Sequence, residues 1–137
     1  MLHFDLQTIH APMLAFVHEM CFEEPWDKKA FKELLSLPTT IGLMNSVGFV
    51  LASVTGEEAE ILTIAVLPNC QRQGNGGRLL RYLIKKLKKL SVKKLFLEVN
   101  VKNKAALALY AKLDFKEVGR RPGYYHGTDA LIMEKEI

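Results

Sequence analysis

The amino-acid sequence predicts an α/β (α+β) fold with a central mixed, mostly antiparallel sheet of about seven strands and four helices. Three observations lead to this prediction. Apolar residues recur with a period of two in several short segments, which is typical of strands, and with a period near 3.6 in others, which is typical of helices. Turn-forming residues separate these segments. The resulting order is strand, two helices, three strands, helix, strand, helix and two strands, and it contains one strand–helix–strand crossover.

The N-terminal part of the chain predicts one short strand and two helices. The segment LHFDLQ forms the strand, and residues 8–20 form the first helix. Asp27 is the expected N-cap of the second helix. Trp26 before this cap and Phe31 at the fourth helical position form a hydrophobic staple. Pro38 ends the helix, because proline cannot continue one.

The middle of the chain predicts the strands of the sheet and its longest helix. Strands at 39–45 and 46–55 are separated by turn-prone residues, so we expect them to be antiparallel neighbours. A largely apolar strand follows at 59–67. The helix at 76–90 keeps its apolar residues at helical spacing, with most of its basic residues on other faces.

The C-terminal part completes the crossover and closes the sheet. Strands are expected at 93–100, 115–121 and 129–137, and a helix, N-capped by Asn103, at 104–113. The turn-rich PGYYHGT lies between the last two strands. A strand–helix–strand crossover joins parallel strands, so the strands at 59–67 and 95–100 should run parallel, and the crossover should be right-handed. Leu97 and Glu98 should face opposite sides of the second strand.

Composition fits one folded domain over residues 1–137. Hydrophobic residues make up 49% of the chain and charged residues 25%, which excludes a disordered protein. No apolar run approaches the roughly 20 residues that span a bilayer, and the start shows no export signal. Cys21 and Cys70 lack metal or redox spacing, and the four histidines are scattered. We therefore expect a cytoplasmic protein without a metal or a membrane partner.

A glycine-rich turn leads into the longest helix. CQRQGNGGRLL places Gly74, Gly76 and Gly77 where the helix begins, although helical glycine costs up to ~1 kcal/mol relative to alanine. Such a turn directs free N–H groups to one spot, where the helix dipole also favours an anion. Arg78 and Leu79 stand where a P-loop and a dinucleotide fingerprint need other residues, so both motifs are excluded. A phosphate cradle and a turn without a ligand remain as interpretations.

The motifs around this turn favour the cradle. The signature Q/R-x-x-G-x-G/A is present at 71–76, preceded by IAVLP and followed by LEVN, NKAALALYAKLDF and PGYY. In this order and spacing the chain resembles the GNAT superfamily of acetyl-CoA-dependent N-acetyltransferases. PWD at 25–27, LEV at 97–99 and N-x-x-A-x-x-L-Y at 103–110 resemble its RimI-type bacterial members, which acetylate the N-terminal α-amine of a ribosomal protein. The resemblance covers nearly the whole chain and is strongest over 61–115.

The resemblance implies acetyl-CoA as co-substrate and indicates how it is held. Its pantetheine arm is expected along the backbone of Ile64, Ala65 and Val66, and Asn103 should contact it from the other helix. The residues expected around the pyrophosphate are Arg72, Gln73, Gly74, Asn75, Gly76 and Gly77. Gln71 and Arg72 could add side-chain donors.

Two side chains are candidates for acid–base catalysis. Glu98 is an acidic residue in an apolar strand at the ligand edge of the sheet, which suits a general base. An ion pair with a lysine or a capping bond to a backbone donor is the alternative, and the resemblance favours the base. Tyr110 lies two helical turns after Asn103, and the resemblance implies that its hydroxyl donates to the coenzyme A thiolate; a core aromatic is the alternative. The Val66 N–H would stabilise the oxyanion.

The expected acceptor is an α-amine, because its pKa of about 7.7–8 leaves far more free base at neutral pH than lysine, at about 10.4. By analogy, an N-terminal peptide of a ribosomal protein should bind near Glu23, Glu24, Trp26, Tyr124 and Tyr125, which are otherwise ordinary structural residues. A lysine or a small-molecule amine is the alternative acceptor. The oligomeric state stays open.

The net charge of +4 comes from one basic run, 78–94. We interpret this run as the solvated face of a helix, and a nucleic-acid-binding module is the alternative function. Asp114 stands where the family usually has glycine after the last helix. Since aspartate tolerates left-handed backbone, we expect only a small loss of stability.

Overall fold

Residues 2–137, which a computed structural model describes, form a seven-stranded sheet with four α-helices on its faces. The strands are β1 (Phe4–Asp5), β2 (Thr40–Met44), β3 (Gly48–Thr55), β4 (Glu58–Val66), β5 (Lys94–Asn100), β6 (Lys116–Tyr125) and β7 (Thr128–Glu136). The helices are α1 (Ala11–Cys21), α2 (Lys28–Leu35), α3 (Asn75–Lys89) and α4 (Lys104–Lys112). The strand order β1-β2-β3-β4-β5-β7-β6 confirms the predicted fold class.

The sheet is antiparallel except where β4 and β5 meet. Their parallel pairing is confined to Glu58–Glu60 and Lys94–Phe96. Further along, β4 pairs with β3 as far as Val66, and β5 pairs with β7. The two strands therefore diverge and leave a gap between residues 63–66 and 97–100, which we call the β4–β5 opening.

A β-bulge divides β4 just after its last pair with β5. The register with β3 shifts between Ile61 and Thr63, which leaves Leu62 as an extra residue. One extra residue places every following side chain on the opposite face of the sheet from the one that simple alternation would give. Ile61 accordingly packs with the core on the α3 side, whereas Thr63 and Ala65 face α1.

Two apolar clusters cover the two faces of the sheet. The cluster on the α3 and α4 side includes Leu80, Leu83, Leu87, Leu95, Leu97, Val99, Tyr110 and Phe115. The cluster on the α1 and α2 side includes Leu14, Val17, Phe31, Phe49, Leu51 and Ala65. Burial of this apolar surface is the main force that holds the helices on the sheet.

The predicted caps and staple are present at the helix starts. The Asp27 side chain accepts a backbone N–H at 2.8 Å, and the Asn103 side chain accepts one at 3.2 Å. The rings of Trp26 and Phe31 lie 5.6 Å apart across the cap of α2. These three local predictions are therefore confirmed. Sequence alone could predict them, since each depends only on residues that are neighbours in the chain.

Some element boundaries differ from the prediction. The first strand is only two residues long, because it is an edge strand that pairs with Leu43 and Met44 alone. The predicted first helix begins with a 3₁₀ turn at Thr8–His10. β6 continues to Tyr125 through Pro122, since an edge strand tolerates a residue without an N–H.

Candidate active site

The β4–β5 opening leaves part of the backbone of β4 without a strand partner on one side. At the end of this strand the Leu67 N–H donates to the Val47 carbonyl at 2.8 Å. Successive N–H groups of a strand point to opposite sides, so the Val66 N–H points away from β3, toward the side from which β5 has diverged. The Ile64 N–H shares this direction, and that of Ala65 is directed to β3. The segment assigned to the pantetheine arm thus borders the opening.

Three residues hold the end of β4 in place. The Val66 carbonyl accepts hydrogen bonds from Gln71 Nε2 at 2.9 Å and from Cys21 Sγ at 3.2 Å. Gln71, which the sequence suggested as a phosphate donor, is therefore used inside the fold. Gly48 lies opposite Val66, where a Cβ would clash with the Ala65 carbonyl. Glycine is needed there because β3 passes so close to β4.

The glycine turn ends in an uncapped helix N-terminus. Arg72 and Gly74 have φ values of 61° and 83°, and Gly74, the N-cap of α3, has no side chain that could cap it. The first intrahelical bond runs from the Arg78 N–H to the Gly74 carbonyl at 3.1 Å. The N–H groups of residues 75–77 therefore lack intrahelical acceptors. Together with the helix dipole, they can bind an anion.

The side chains of this turn mainly stabilise its shape. Asn75 is buried, and its Nδ2 donates to the Cys70 carbonyl at 2.9 Å. Arg78 Nη1 donates to Asn75 Oδ1 at 2.9 Å and to the Gln73 carbonyl at 3.1 Å. Asn75 and Gln73 thus contribute to the predicted cradle by fixing its backbone, and Arg72 remains exposed beside it.

Two of the three glycines lie against α4. A Cβ at Gly76 would be 3.3 Å from a methyl group of Leu109, and one at Gly77 would be 3.1 Å from the Arg81 guanidinium. Close packing of α3 on α4 therefore explains these two glycines in part. Gly74 has positive φ, and an added Cβ would make only ordinary van der Waals contact with the Arg78 guanidinium, 3.6 Å away, so its role is conformational.

Glu98 lies on β5 beyond the parallel pairing. Its side chain is 20% exposed, and its Oε1 lies 3.0 Å from Nε of Arg121 on β6. Leu97 and Val99 point into the α3 and α4 core, so Glu98 faces the α1 and α2 side, as its alternation predicts. The partner of its ion pair is thus not the lysine that the sequence suggested. Arg121, which lies two strands away across β7, has no sequence signal that links it to Glu98.

Tyr110 lies on the opposite side of the sheet, in the core with α3. Only 6% of it is exposed, and its ring packs against Phe115 at 5.6 Å between centroids. Burial, and secondarily the charge that Tyr125 carries when ionised, raises the pKa of Tyr110 to about 12. The hydroxyl therefore keeps its proton at neutral pH.

The β6–β7 hairpin brings further side chains to Glu98. Burial raises the pKa of Tyr125, and the negative charges of Glu98 and Tyr124 raise it further. The Arg121 guanidinium lies 5.5 Å from the centre of the Tyr124 ring. Tyr125 is thus electrostatically coupled to both Glu98 and Tyr110. These two candidates lie on opposite faces of the sheet.

The α1–α2 loop, residues 22–27, reaches the same hairpin. Glu24 Oε1 lies 3.1 Å from His126 Nε2 in the turn between β6 and β7. Trp26 stacks on His18 with 5.0 Å between ring centres. The loop and the hairpin therefore carry all five predicted acceptor residues, Glu23 being exposed on the loop.

The remaining predicted residues lie around α3 and α4. Asn103 uses Oδ1 to cap α4, which leaves its Nδ2 for a ligand. The basic run lies mostly on the exposed face of α3, with Lys86 paired to Asp5 at 2.5 Å. Among residues 2–137, no group of three or more His, Cys, Asp or Glu side chains could hold a metal ion. No helix of this described part is long and apolar enough to cross a membrane.

Known proteins are similar in sequence to most of the chain. The [Ribosomal protein bS18]-alanine N-acetyltransferase of Escherichia coli (strain K12) is 38% identical over 143 residues, covering 97% of this chain and 95% of that protein. The N-alpha-acetyltransferase RimI of Mycobacterium tuberculosis is 37% identical over 125 residues, covering 83% and 77%.

Solved structures share its fold. The crystal structure of the ribosomal-protein-S18-alanine N-acetyltransferase from Escherichia coli matches with a TM-score of 0.88 and 34% identity, covering 99% of this chain and 94% of that one. Arabidopsis thaliana NAA60 in complex with acetyl-CoA matches at 0.85 with 17% identity over 99% and 98%, which is a likeness of fold alone. The family model for the acetyltransferase (GNAT) family matches residues 12–115. This chain therefore belongs to the GNAT family of acetyltransferases, as its motifs predicted.

Proposed function

We propose that the protein transfers an acetyl group from acetyl-CoA to the N-terminal α-amine of a ribosomal protein. The observation that carries this proposal is the β4–β5 opening, which the Val66 N–H borders on one strand and Glu98 on the other, with Tyr110 in the core on the opposite face of the sheet. The identity of 38% to an enzyme named for acetylating the alanine of ribosomal protein bS18 supports the acceptor.

In this proposal acetyl-CoA is held mainly by backbone groups. The free N–H groups of residues 75–77 bind the pyrophosphate, and the exposed Arg72 adds positive charge. The pantetheine amides pair with the edge of β4 at Ile64 and Val66, where β5 no longer supplies a partner. The Nδ2 of Asn103 contacts the cofactor from the start of α4.

Glu98 is the proposed base. The incoming α-ammonium group gives one proton to the Glu98 carboxylate, directly or through a water molecule, and the free amine attacks the thioester carbonyl. Arg121 holds Oε1 at 3.0 Å, which leaves Oε2 to accept the proton. Arg121 is thus a positioning residue for the base.

The Val66 N–H and Tyr110 stabilise the charges that develop. The carbonyl oxygen becomes an oxyanion that the Val66 N–H binds. As the C–S bond breaks, the Tyr110 hydroxyl donates to the sulfur, and coenzyme A leaves as a thiol. The second proton of the amine, released on collapse of the intermediate, restores the tyrosine. Since the pKa of Tyr110 is about 12, the hydroxyl is protonated at neutral pH until this transfer, and the tyrosinate that forms regains a proton readily.

The charge of the acceptor region supports a positively charged acceptor, such as a basic peptide, over a neutral or acidic one. Glu23 and Glu24 lie exposed on the loop that reaches the β6–β7 hairpin. Acidic groups at an entrance attract the positively charged N-terminal segment of a nucleic-acid-associated protein. The α-amine itself needs only a weak base, because a substantial part of it is uncharged near neutral pH.

Acetylation of synthetic peptides tests the proposal. The substrates are the N-terminal peptide of bS18 beginning with alanine, the same peptide with a blocked α-amine but free lysines, and spermidine. We expect tandem mass spectrometry to locate one acetyl group on the α-amine of the first peptide only. Transfer confined to lysine side chains or to spermidine would overturn the assignment of the acceptor.

A further inference from the structure

His18 is a buried polar side chain that the catalytic steps do not use. It lies in α1 with 3% of its surface exposed. Its Nε2 is 3.2 Å from Oγ1 of Thr63 on β4, and its Nδ1 accepts the Trp26 N–H at 3.0 Å. Both ring nitrogens therefore have partners, and the partners belong to different elements.

These two hydrogen bonds determine the state of the ring. Nδ1 must be unprotonated to accept from an amide, so the proton lies on Nε2 and is donated to Thr63. The ring stacks on Phe22 at 4.1 Å and meets Phe31 edge-on at 5.3 Å. The groups around it from α2, the loop and β4 are thus aromatic rings, a hydroxyl and an amide. Burial lowers the pKa of His18 to about 4, so the ring stays neutral near neutral pH.

The partners of His18 lie on the two substrate sides of the opening. Thr63 is the first residue after the bulge, in the segment that ends with Val66. Trp26 is in the α1–α2 loop, which reaches the β6–β7 hairpin. One helical turn after His18, Cys21 donates to the Val66 carbonyl at 3.2 Å. The inner face of α1 therefore ties the loop to the strand that borders the opening.

We propose that His18 is a positioning residue that sets the α1–α2 loop against β4, so that the acceptor amine meets the thioester beside the Val66 N–H. The proposal rests on the proposed function for the site it serves, although not on the identity of the acceptor. It assigns His18 to the acceptor side alone. Binding of acetyl-CoA should not depend on it, because the β4 backbone at Ile64 and Val66 is held by its pairing with β3 and by the bonds from Gln71 and Cys21.

Variants of Thr63 separate this role from simple packing. Thr63→Val keeps the volume and shape of the side chain but removes the hydroxyl that accepts from His18. Thr63→Ser keeps the hydroxyl. His18→Asn keeps an acceptor near the position of Nδ1 and loses the bond to Thr63. A residue that only fills space would tolerate Thr63→Val better than Thr63→Ser, because serine leaves a methyl-sized cavity.

Steady-state kinetics with the acceptor and acetyl-CoA varied separately provide the test. We expect Thr63→Val and His18→Asn to lower kcat/KM for the acceptor at least about fivefold, the effect of losing one hydrogen bond. The Kd of acetyl-CoA, measured by calorimetry, should change less than about twofold, and Thr63→Ser should keep most of the activity. Unchanged acceptor kinetics in Thr63→Val, or equal losses for both substrates, would overturn the proposal.

The state of the ring gives a second readout that does not depend on turnover. ¹⁵N NMR of the wild-type protein should show His18 as the neutral Nε2–H tautomer, and the Nδ1–H tautomer would contradict the proposal. If N-terminal peptides are not substrates, the proposed acceptor fails. The same comparison of variants, made with the amine that is acetylated, and the NMR measurement still decide the role of His18.

Discussion

The two regions proposed to bind the substrates have opposite charge and offer different groups. Residues 61–97, which include the glycine turn and α3, contain nine Lys and Arg and no Asp or Glu. Residues 1–27, which include α1 and the acceptor loop, contain five Asp and Glu and no Lys or Arg. The first region suits a polyanionic cofactor and offers backbone N–H groups; the second suits a basic peptide and uses side chains. Binding of acetyl-CoA should therefore be weakened by substitutions that alter the backbone conformation, and binding of the acceptor by substitutions that remove side-chain groups.

The largest effect is expected for Glu98→Gln. Glutamine keeps an oxygen for Arg121 but cannot accept the proton, so kcat should fall by about 10²–10⁴, the usual contribution of a general base. The Kd of acetyl-CoA should stay within about twofold. Release of coenzyme A thiol measures kcat, and calorimetry measures the Kd.

Glu117→Gln is the matched control for this change. Glu117 forms an exposed ion pair with Arg120 at 3.7 Å on the same hairpin, so its loss should leave kcat unchanged. Wild-type turnover in Glu98→Gln would show that the carboxylate serves its ion pair with Arg121 and is not the base.

The second prediction concerns pH and the acceptor side. The pKa of His18 is about 4 in the folded protein and 6.5 in its unperturbed state, so the unfolded chain binds more protons between these values. The free energy of unfolding should therefore fall as the pH is lowered from 6.5 to 4, by at most about 3 kcal/mol. Above pH 6.5 this contribution is constant.

Urea denaturation over pH 4–7 measures this dependence. His18→Gln should show a shallower loss of stability than the wild type, because glutamine does not titrate. His126→Gln, which alters an exposed ring in the β6–β7 turn, should keep the wild-type slope. Equal slopes in all three proteins would contradict the burial of a neutral His18.

The difference between the two regions also explains how much the sequence could predict. The cofactor side depends on local signals, namely the glycine turn and the Asn103 cap. Each involves residues that are close in sequence, and the resemblance to the family is strongest there. The acceptor side depends on contacts between distant residues, such as His18 with Thr63 and Glu98 with Arg121. Neither pair has a spacing that would reveal it.

The bulge at Leu62 shows a second reason why the sequence could not predict the acceptor side. From Ile61 onward β4 is buried or half-buried on both faces, and its residues there are apolar apart from Thr63. The pattern would look the same with or without an extra residue, and no glycine or proline marks the position. A change of face is then invisible in the hydrophobic pattern. The bulge nevertheless determines that Thr63 faces α1, and with it the environment of His18.

The third prediction tests the backbone character of the cofactor side. Gly74→Ala puts a Cβ on a residue with a φ of 83°, a conformation that costs an L-residue roughly 1–2 kcal/mol. If the turn relaxes to avoid this strain, the N–H groups of residues 75–77 lose their common direction. The Kd of acetyl-CoA should then rise about tenfold, with a smaller change in the acceptor KM.

Gly56→Ala is the control for strain alone. Gly56 has a φ of 61° in the turn between β3 and β4, and a Cβ added there would have no atom within 4 Å. It should lose a similar amount of stability without weakening acetyl-CoA binding. Equal Kd values in the two variants would refute the role of the Gly74 turn in holding the pyrophosphate.

The smallest effect, at Asp114, separates stability from binding. Asp114 follows α4 with a φ of 66°, a left-handed conformation that favours glycine. Asp114→Gly should raise the free energy of unfolding by up to about 1 kcal/mol, because glycine adopts this conformation without strain. Urea denaturation measures the gain, and kinetics should show both substrate constants unchanged. A shift in the Kd of acetyl-CoA or in the acceptor KM would mean that a change of stability alone alters substrate binding. The weaker binding expected for the Gly74 and Thr63 variants would then have to be corrected for their loss of stability.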